Sequence, residues 1–458
     1  MLRKIGLKNF KCWQALDIDL APITLFFGSN SSGKTAILQS LLMLKQTARG
    51  FDPDQHINFG GSDRDYVDLG SYQKLVLGHQ IDTNIGLTLQ WDPASGIDWQ
   101  THVEGIARPV LRRRIGSSMF IEYAINWRLL DNIRIENLSY RALPSGTGAE
   151  NVRVEIIERG MYAATIRKDV DDTYPFEQEE PVGTPESCYI LPTEIVTDYP
   201  IDVRRFASFY AREFEELMDL VLYLGPVRQR PERHYLWTGN EPNLIEPSGS
   251  NTIEMLISSA RSDCALLAAV QEKLKLLALV DSFDVKSIDQ NERRYEATAT
   301  IGGVESSLAD AGFGVSQALP VITMLLSAPE GSIVLLEQPE LHLHPNAQSA
   351  LADLLLYAAE QRGLQLIVES HSEHILRRLQ RRVAEDNPVF ANPENIKMYF
   401  CQTGEAGSSI SEVEIDRFGQ IANWPDNFLG DISGDLHEML RAALERRGKE
   451  LEHVGHRG

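Results

Sequence analysis

Gly28-Ser29-Asn30-Ser31-Ser32-Gly33-Lys34-Thr35 follows the apolar run Ile23-Thr24-Leu25-Phe26-Phe27 and leads into a segment rich in Ile and Leu. The spacing G-x-x-x-x-G-K-[ST] between a strand and a helix is that of a phosphate-binding loop. Small residues let the backbone turn so that successive N–H groups face an anion, and the helix that follows adds the positive end of its dipole. Lys34 is placed to reach the β- and γ-phosphates of ATP, and the Thr35 hydroxyl to hold Mg2+. The plainer alternative, a glycine turn before a helix, leaves the motifs downstream without a purpose.

The 458 residues allow about three domain-sized units, or one elaborated α/β domain with an insertion. Hydrophobic residues make up 43% and charged residues 24%, with no apolar run long enough to span a bilayer, which predicts a soluble chain without a membrane segment. The start, Met1-Leu2-Arg3-Lys4-Ile5-Gly6, enters a strand pattern directly and lacks the features of a signal peptide, so a cytoplasmic location is expected. Cys12, Cys188, Cys264 and Cys401 lie far apart without a C-x-x-C pair and read as reduced thiols. A net charge of −21 argues against a surface basic all over and against nonspecific nucleic-acid binding as a default property. A local basic groove is still compatible.

Residues 1 to 27 alternate as strands do, with Ile5, Leu7 and Phe10 and then Leu16, Ile18 and Leu20 facing inward. The helix after the loop carries Ile37, Leu38, Leu41, Leu42 and Leu44, too many for a surface helix, and is expected to be sandwiched. Short strand runs follow at Ile85–Gln90, Met119–Ile125, Val152–Ile157 and Tyr162–Ile166, and the acidic, proline-bearing stretch Asp169–Pro185 reads as a surface loop or linker. Helices are predicted over Ile201–Leu222 and Thr252–Val280, bracketing LGPVRQRPERHYLWTGNEP; neither sustains the heptads of a coiled-coil arm. From Gly331 onward a second α/β half appears, with strands at Ile333–Leu336 and Leu364–Val368 and helices at Pro345–Arg362 and Glu373–Val383.

Ile333-Val334-Leu335-Leu336-Glu337-Gln338-Pro339-Glu340 has the form of a Walker B strand, whose carboxylate sits beside the phosphate loop and holds Mg2+. Leu364–Val368 leads into Glu369-Ser370-His371-Ser372, which puts His371 at the carboxyl end of a strand, the edge where open α/β sheets bind ligands. Upstream, Ala309-Asp310-Ala311-Gly312-Phe313-Gly314-Val315-Ser316-Gln317 supplies a small-residue turn before an apolar helix.

In order, these elements resemble the ABC-type ATPases of the SMC, RecF and OLD group, and more closely the stand-alone prokaryotic ATPases with EQPELHLHP and GPxRxxPxRxY motifs; the opening LKNFKCW and the tail GQIANWPDNFLGD are similar too. The resemblance covers about residues 1 to 45 and 220 to 435. It implies an α/β ABC-type P-loop NTPase of mixed sheets flanked by helices, with core lobes at 1–50 and 300–435, an inserted β-rich and helical region at 51–299 and a tail at 436–458. It also implies that Gly312, Gly314, Ser316 and Gln317 form a signature loop that contacts ATP bound to a second subunit, so that two ATP molecules are sandwiched in a homodimer or a higher oligomer. His371 would be the switch histidine, Leu343-His344-Pro345 would take the D-loop position, Lys11 would lie near the phosphates, and Gln73 in LGSYQKLV would be a Q-loop residue at the metal.

Many relatives end Walker B in Asp-Glu, whereas here the pair is Glu337-Gln338. An amide is no base at neutral pH. Gln338 can still orient a water, and Glu340 can supply the carboxylate, so slow hydrolysis and a long-lived ATP-bound dimer are expected. Relatives act in antiviral defence and DNA maintenance, often beside a separately encoded nuclease. The 87 residues after His371 are short for a nuclease domain of the OLD type, so a partner effector nuclease, with or without DNA, is the expected target of the switch. The alternative is a non-catalytic, ATP-stabilised scaffold; a transporter subunit fits the NFKCW start and the missing LSGGQ poorly.

Several residues carry plainer readings. Glu337 and Glu340 can merely cap a helix, His371 can be a satisfied strand-end histidine, and His342 with His344 reads as loop structure rather than a metal pair. Arg112-Arg113-Arg114 and Arg377, Arg378, Arg381 and Arg382 read first as solvated faces paired with acids, then as a nucleic-acid track. Arg228, Arg230 and Arg233 either sense nucleotide, hold a dimer interface, or are structural.

Overall fold

The computed structural model describes residues 1–50, 56–93, 119–129, 133–144, 151–158, 162–169, 176–183, 185–192, 201–291, 293–385, 392–404, 407–424, 438–439 and 441–443. Arg112, Arg113 and Arg114, and most of the tail at 436–458, lie outside them.

Strands β1 (Leu2–Phe10) and β2 (Trp13–Asp19) form a hairpin, and β3 (Ile23–Gly28) runs into helix α1 (Lys34–Arg49). A single turn, α2 (Tyr72–Leu75), precedes β4 (Ile85–Trp91), β5 (Met119–Leu129), β6 (Ile133–Pro144), β7 (Asn151–Glu158), β8 (Tyr162–Asp169) and β9 (Phe176–Val182). These strands build an antiparallel sheet in the order β2-β1-β4-β5-β6-β7-β8-β9. The acidic stretch expected as a loop thus contains β9. β9 stands last in that order and pairs with β8.

Helix α3 (Ile201–Leu220) stops two residues short of its predicted end, because Val221–Leu224 forms β10 and finds a parallel partner in β15 (Ile333–Glu337). The second predicted helix is split into α4 (Thr252–Arg261) and α5 (Ala265–Leu276) by Cys264, which takes a left-handed backbone at φ 59°. A small sheet follows from β11 (Tyr235–Leu236), β12 (Ser282–Ser287), β13 (Arg294–Ile301) and β14 (Val304–Ser307). Helices α6 (Phe313–Ser327), α7 (Pro345–Gln361) and α8 (Glu373–Ala384) alternate with β15, β16 (Gln365–Glu369), β17 (Ile396–Gly404) and β18 (Gly407–Glu412).

The central sheet runs β10-β15-β16-β3-β17-β18, parallel except for the last pair. Every residue of β15 and β16 is buried, as strands covered on both faces must be. Ile23, Leu25 and Phe27 pack into one core with helices α4 to α8, while Phe26, Ile333, Leu335 and Ile367 face the other, shared with α1, α3 and the antiparallel sheet. Helix α1 is therefore sandwiched between two sheets, which explains its apolar circumference. β4 and β10, both within 51–299, hydrogen-bond into the two large sheets, so that segment supplies structure to the frame of the phosphate loop.

Among the described residues no helix is long and apolar enough to cross a membrane. Cys12, Cys188, Cys264 and Cys401 are free thiols.

Candidate nucleotide site

The carboxyl ends of β3, β16 and β15 lie side by side, and the parallel register sets Glu337 opposite Glu369 and Glu369 opposite Phe26. β3 and β15 are not neighbours; β16 stands between them. Side chains at these tips converge on the loop because parallel strands end on one edge.

Two glycines are required by the loop. Gly28 has φ 140°, and a Cβ there would stand 2.1 Å from the Cys401 carbonyl oxygen. Gly33 has φ 96°, and a Cβ there would press on Cys12 Sγ at 2.6 Å and the Trp13 ring at 2.9 Å. The Lys11-Cys12-Trp13 turn thus braces the loop, and Trp13 Nε1 donates to the Gly33 carbonyl at 3.1 Å. Gly33 caps α1 without a side-chain bond, and the first turn holds no acid, so its N–H groups suit an anion. Ser31 takes φ 63°, while Ser32 is buried and its Oγ accepts from Lys34 Nζ at 3.3 Å.

Lys34, 2% exposed, also donates to the carbonyls of Ser29 at 2.7 Å and Gly28 at 3.1 Å, and its Nζ lies 3.9 Å from Glu369 Oε1. Burial lowers its pKa, and Glu369 works against that shift. Thr35 Oγ1 donates to Glu369 Oε2 at 2.8 Å. Asn30 is an exposed residue of the loop's outer turn.

Glu337 is buried, and its Oε1 accepts from Tyr223 at 2.8 Å. Burial pushes its carboxyl up to about 7, opposed by the Tyr223 donor and reinforced by the nearby Glu369. Gln338 takes a left-handed φ of 44° and donates its N–H to the Glu369 carbonyl at 2.8 Å. Glu340 accepts the His371 N–H at 2.7 Å through one oxygen, while its other carboxylate oxygen is buried without a partner; burial raises its pKa. His371 is exposed; burial of part of its ring and the charge of Lys34 lower its pKa, while a bond to the Gly28 backbone raises it.

Two further sequence-assigned residues lie on the bracing turn and on α2. Lys11 Nζ donates to Gln39 Oε1, and its N–H donates to the Leu75 carbonyl, tying the bracing turn to α2. Gln73 is exposed on α2, with its carbonyl contacted by His79 Nδ1 at 2.8 Å.

The residues of the expected signature loop stand at the start of α6. Gly312 is the N-cap of α6, and Gly314, Ser316 and Gln317 lie inside its first turns. Ser316 and Gln317 are buried there, and Ser316 Oγ bonds back to the Phe313 carbonyl at 3.0 Å, as a helical serine does. The exposed part of the motif is Gly312 and Phe313. His344 caps α7, its Nδ1 accepting from Asn346 N–H at 3.4 Å, with Pro345 in the first turn; His342 lies beside Phe313. Among the described residues no three His, Cys, Asp or Glu side chains are arranged so that they alone could hold a metal ion.

The arginines separate by role. Buried Arg228 donates to the carbonyls of Glu337 at 3.0 Å, Gln338 at 3.2 Å and Gln317 at 3.5 Å, joining β15 to α6. Arg230 stacks on Phe313 at 5.6 Å, and Arg233 forms a two-pronged pair with Asp310. Arg377, Arg378, Arg381 and Arg382 pair with Glu373, Asp353 and Glu385, the solvated-face arrangement.

Glu369 and Tyr223 escaped the sequence reading. Glu369 carries the signal Glu337 carries, a carboxylate that closes an apolar strand run, but only the register puts it beside Thr35. A hydroxyl and two buried carboxylates form an all-oxygen donor set that fits a hard cation, and the ammonium of Lys34 with the α1 N–H groups fits phosphate.

Sequence-family profiles match three segments: "AAA ATPase domain" over residues 1–105, "AAA domain, putative AbiEii toxin, Type IV TA system" over 256–377, and "Protein of unknown function (DUF3696)" over 391–439. Both halves of the site lie in AAA-type matches. The first holds Lys34 and Thr35, the second Glu337, Glu340, Glu369 and His371. A curated relative, the OLD nuclease of Thermus scotoductus, is 42% identical over 41 residues, which is 9% of this chain and 8% of that protein's length. Solved structures include the SMC head domain from Thermotoga maritima, 12% identical with TM-score 0.35 over 90% of this chain and 99% of that one. The Smc head bound to the C-winged helix domain of ScpA is 10% identical with TM-score 0.40 over 91% and 98%. The Smc head with an extended coiled coil bound to the C-terminal domain of ScpA, derived from Pyrococcus furiosus, is 10% identical with TM-score 0.39 over 90% and 96%. The assignment to an α/β P-loop NTPase rests on the loop, the strand order and the AAA-type matches.

Proposed function

We propose that this chain binds ATP with Mg2+, hydrolyses it slowly, and uses the nucleotide to switch a homodimer that controls a partner effector or DNA. The observation that carries the reading is the junction of Lys34 and Thr35 with the strand-end carboxylates Glu337 and Glu369. Lys34 and the α1 N–H groups bind the phosphates; Thr35 and the carboxylates hold the cation. Bound Mg2+ supplies neutralisation of the β- and γ-phosphate charge.

Glu340 is the candidate base. Its free oxygen is an acceptor in a water-poor setting, and its other oxygen fixes the His371 backbone at the loop. Gln338 cannot take a proton, which supports slow turnover. Exposed Gly312 and Phe313, at the start of an uncapped helix, suit contact with nucleotide on a second copy. A cytoplasmic switch in antiviral defence or DNA maintenance, acting with a separately encoded nuclease, follows from the family resemblance.

Steady-state ATP hydrolysis with and without double-stranded DNA, against Lys34→Ala as the blank, tests this reading. Turnover above the blank is expected. Tight ATP binding with turnover at the blank level under both conditions would favour the second reading, an ATP-held scaffold, which Gln338 at the Walker B position supports.

A further inference from the structure

The Walker B carboxylate has its Oε1 committed: Tyr223 donates to it from β10. Glu369 stands one strand closer to the phosphate loop, and its Oε2 lies 2.8 Å from Thr35 Oγ1. Mg2+ keeps its oxygen ligands at about 2.0–2.1 Å in an octahedron, so that adjacent ligands lie about 2.9 Å apart. The Thr35–Glu369 separation is that of two adjacent corners. Glu369 is 5% exposed, and its main chain is fixed on both sides, by pairing with β3 and by the Gln338 N–H on its carbonyl.

We infer that Glu369 is a ligand of the nucleotide's divalent cation, adjacent to Thr35, with Glu337 as the outer carboxylate held by Tyr223. This rests on the ATP reading of the phosphate loop. With a divalent cation bound, the Thr35 hydroxyl would keep its proton and turn it away, so that its oxygen and the Glu369 carboxylate would both face the cation, and nucleotide phosphate would stand beside Lys34. A divalent cation there would offset the repulsion between two buried acids that stand opposite one another.

The plainer role for Glu369 is to orient the Thr35 hydroxyl. Glutamine performs that role equally well, since its amide oxygen accepts the same bond, so Glu369→Gln isolates the charge. Mn2+, which prefers the same oxygen donors, is the probe. Free Mn2+ is followed by electron paramagnetic resonance at saturating ATP, and binding of a fluorescent ATP analogue is followed separately in EDTA. The expected result is at least a tenfold loss of Mn2+ affinity in Glu369→Gln and a smaller loss in Glu337→Gln, with metal-free nucleotide binding retained or tightened, because a carboxylate near Lys34 no longer repels phosphate. Glu369→Asp keeps the negative charge beside Lys34 and withdraws it by one methylene; should the Gln variant fail to fold, a several-fold loss in the Asp variant is the expected result.

Mn2+ affinity within twofold of wild type in a folded Glu369→Gln protein, or in Glu369→Asp if that is the folded variant, overturns the inference and leaves the ATP reading intact. A wild-type protein that binds no nucleotide overturns both.

Discussion

The phenol of Tyr223 donates to Glu337 at 2.8 Å, fastening the tip of the edge strand β10 to the carboxylate that closes β15. The bond favours the charged carboxylate against burial, which has already raised it to about 7. Tyr223→Phe removes the donor and raises Glu337 further. In the nucleotide-free protein the Glu337 carboxyl is expected to titrate at higher pH in Tyr223→Phe than in the wild type, read by infrared difference spectroscopy. An unmoved titration would leave Tyr223 without influence on Glu337. For stability, a carboxyl raised in the folded state contributes fully below its ordinary value near 4.5 and loses that contribution as pH rises through about 7.

Lys34→Ala should cost at least about a hundredfold in ATP affinity, roughly 2.7 kcal/mol, because it removes the buried ammonium that faces the loop. Calorimetric titration with ATP reads this directly, and an affinity near wild type would remove Lys34 from phosphate binding.

Glu340→Gln keeps the shape of the side chain and an acceptor for the His371 N–H while losing the carboxylate proposed as the base. Turnover is expected to fall on the order of a hundredfold or more with ATP affinity held within about twofold. Single-turnover hydrolysis at saturating ATP is the measurement, and undiminished turnover would leave Glu340 as a strut for the switch loop.

Phe313 is 55% exposed at the start of α6, with Arg230 over one side and His342 at another. Phe313→Asp should abolish ATP-dependent dimerisation, read by light scattering with ATP and Mg2+, while ATP binding to the monomer persists. A dimer that forms as before would place the contact elsewhere.

Lys45 lies within the buried face of α1 and donates to the Met218 carbonyl at 2.7 Å, and burial pushes it down to about 7 from 10.5. Between those values the unfolded chain holds a proton that the folded chain lacks. Stability should therefore rise with pH across that window, by up to about 1.4 kcal/mol per unit, and fall as pH drops through 7. Lys45→Met is expected to flatten the slope in urea unfolding at pH 7 and 9; an unchanged slope would assign it to another group.

The strands that end in Gly28, Glu337 and Glu369 were legible because each is a short apolar run closed by a turn or a charge, and the helices after them follow 3.6-residue periodicity. Lys34 and Thr35 were legible for another reason: the loop needs glycine where the backbone is left-handed or crowded, and the motif records that need. β9 was hidden because a stretch of acids with a proline looks like a loop, and its pairing with β8 is long-range information. β10 was hidden because four apolar residues after a helix extend its pattern until β15 offers hydrogen bonds.

The sequence by itself determined that a glycine-rich loop between strand and helix, an apolar strand closed by Glu337 and a strand-end histidine occur in this chain and in that order. Tertiary structure alone decided which carboxylate meets the loop. Glu337 and Glu369 lie 32 residues apart in the chain, and both end apolar runs. Strand order puts β16 rather than β15 beside β3, and parallel pairing then aligns Glu369 with Phe26, within one hydrogen bond of Thr35. Pairing between distant strands is settled by the burial of whole faces, which no local window of sequence contains.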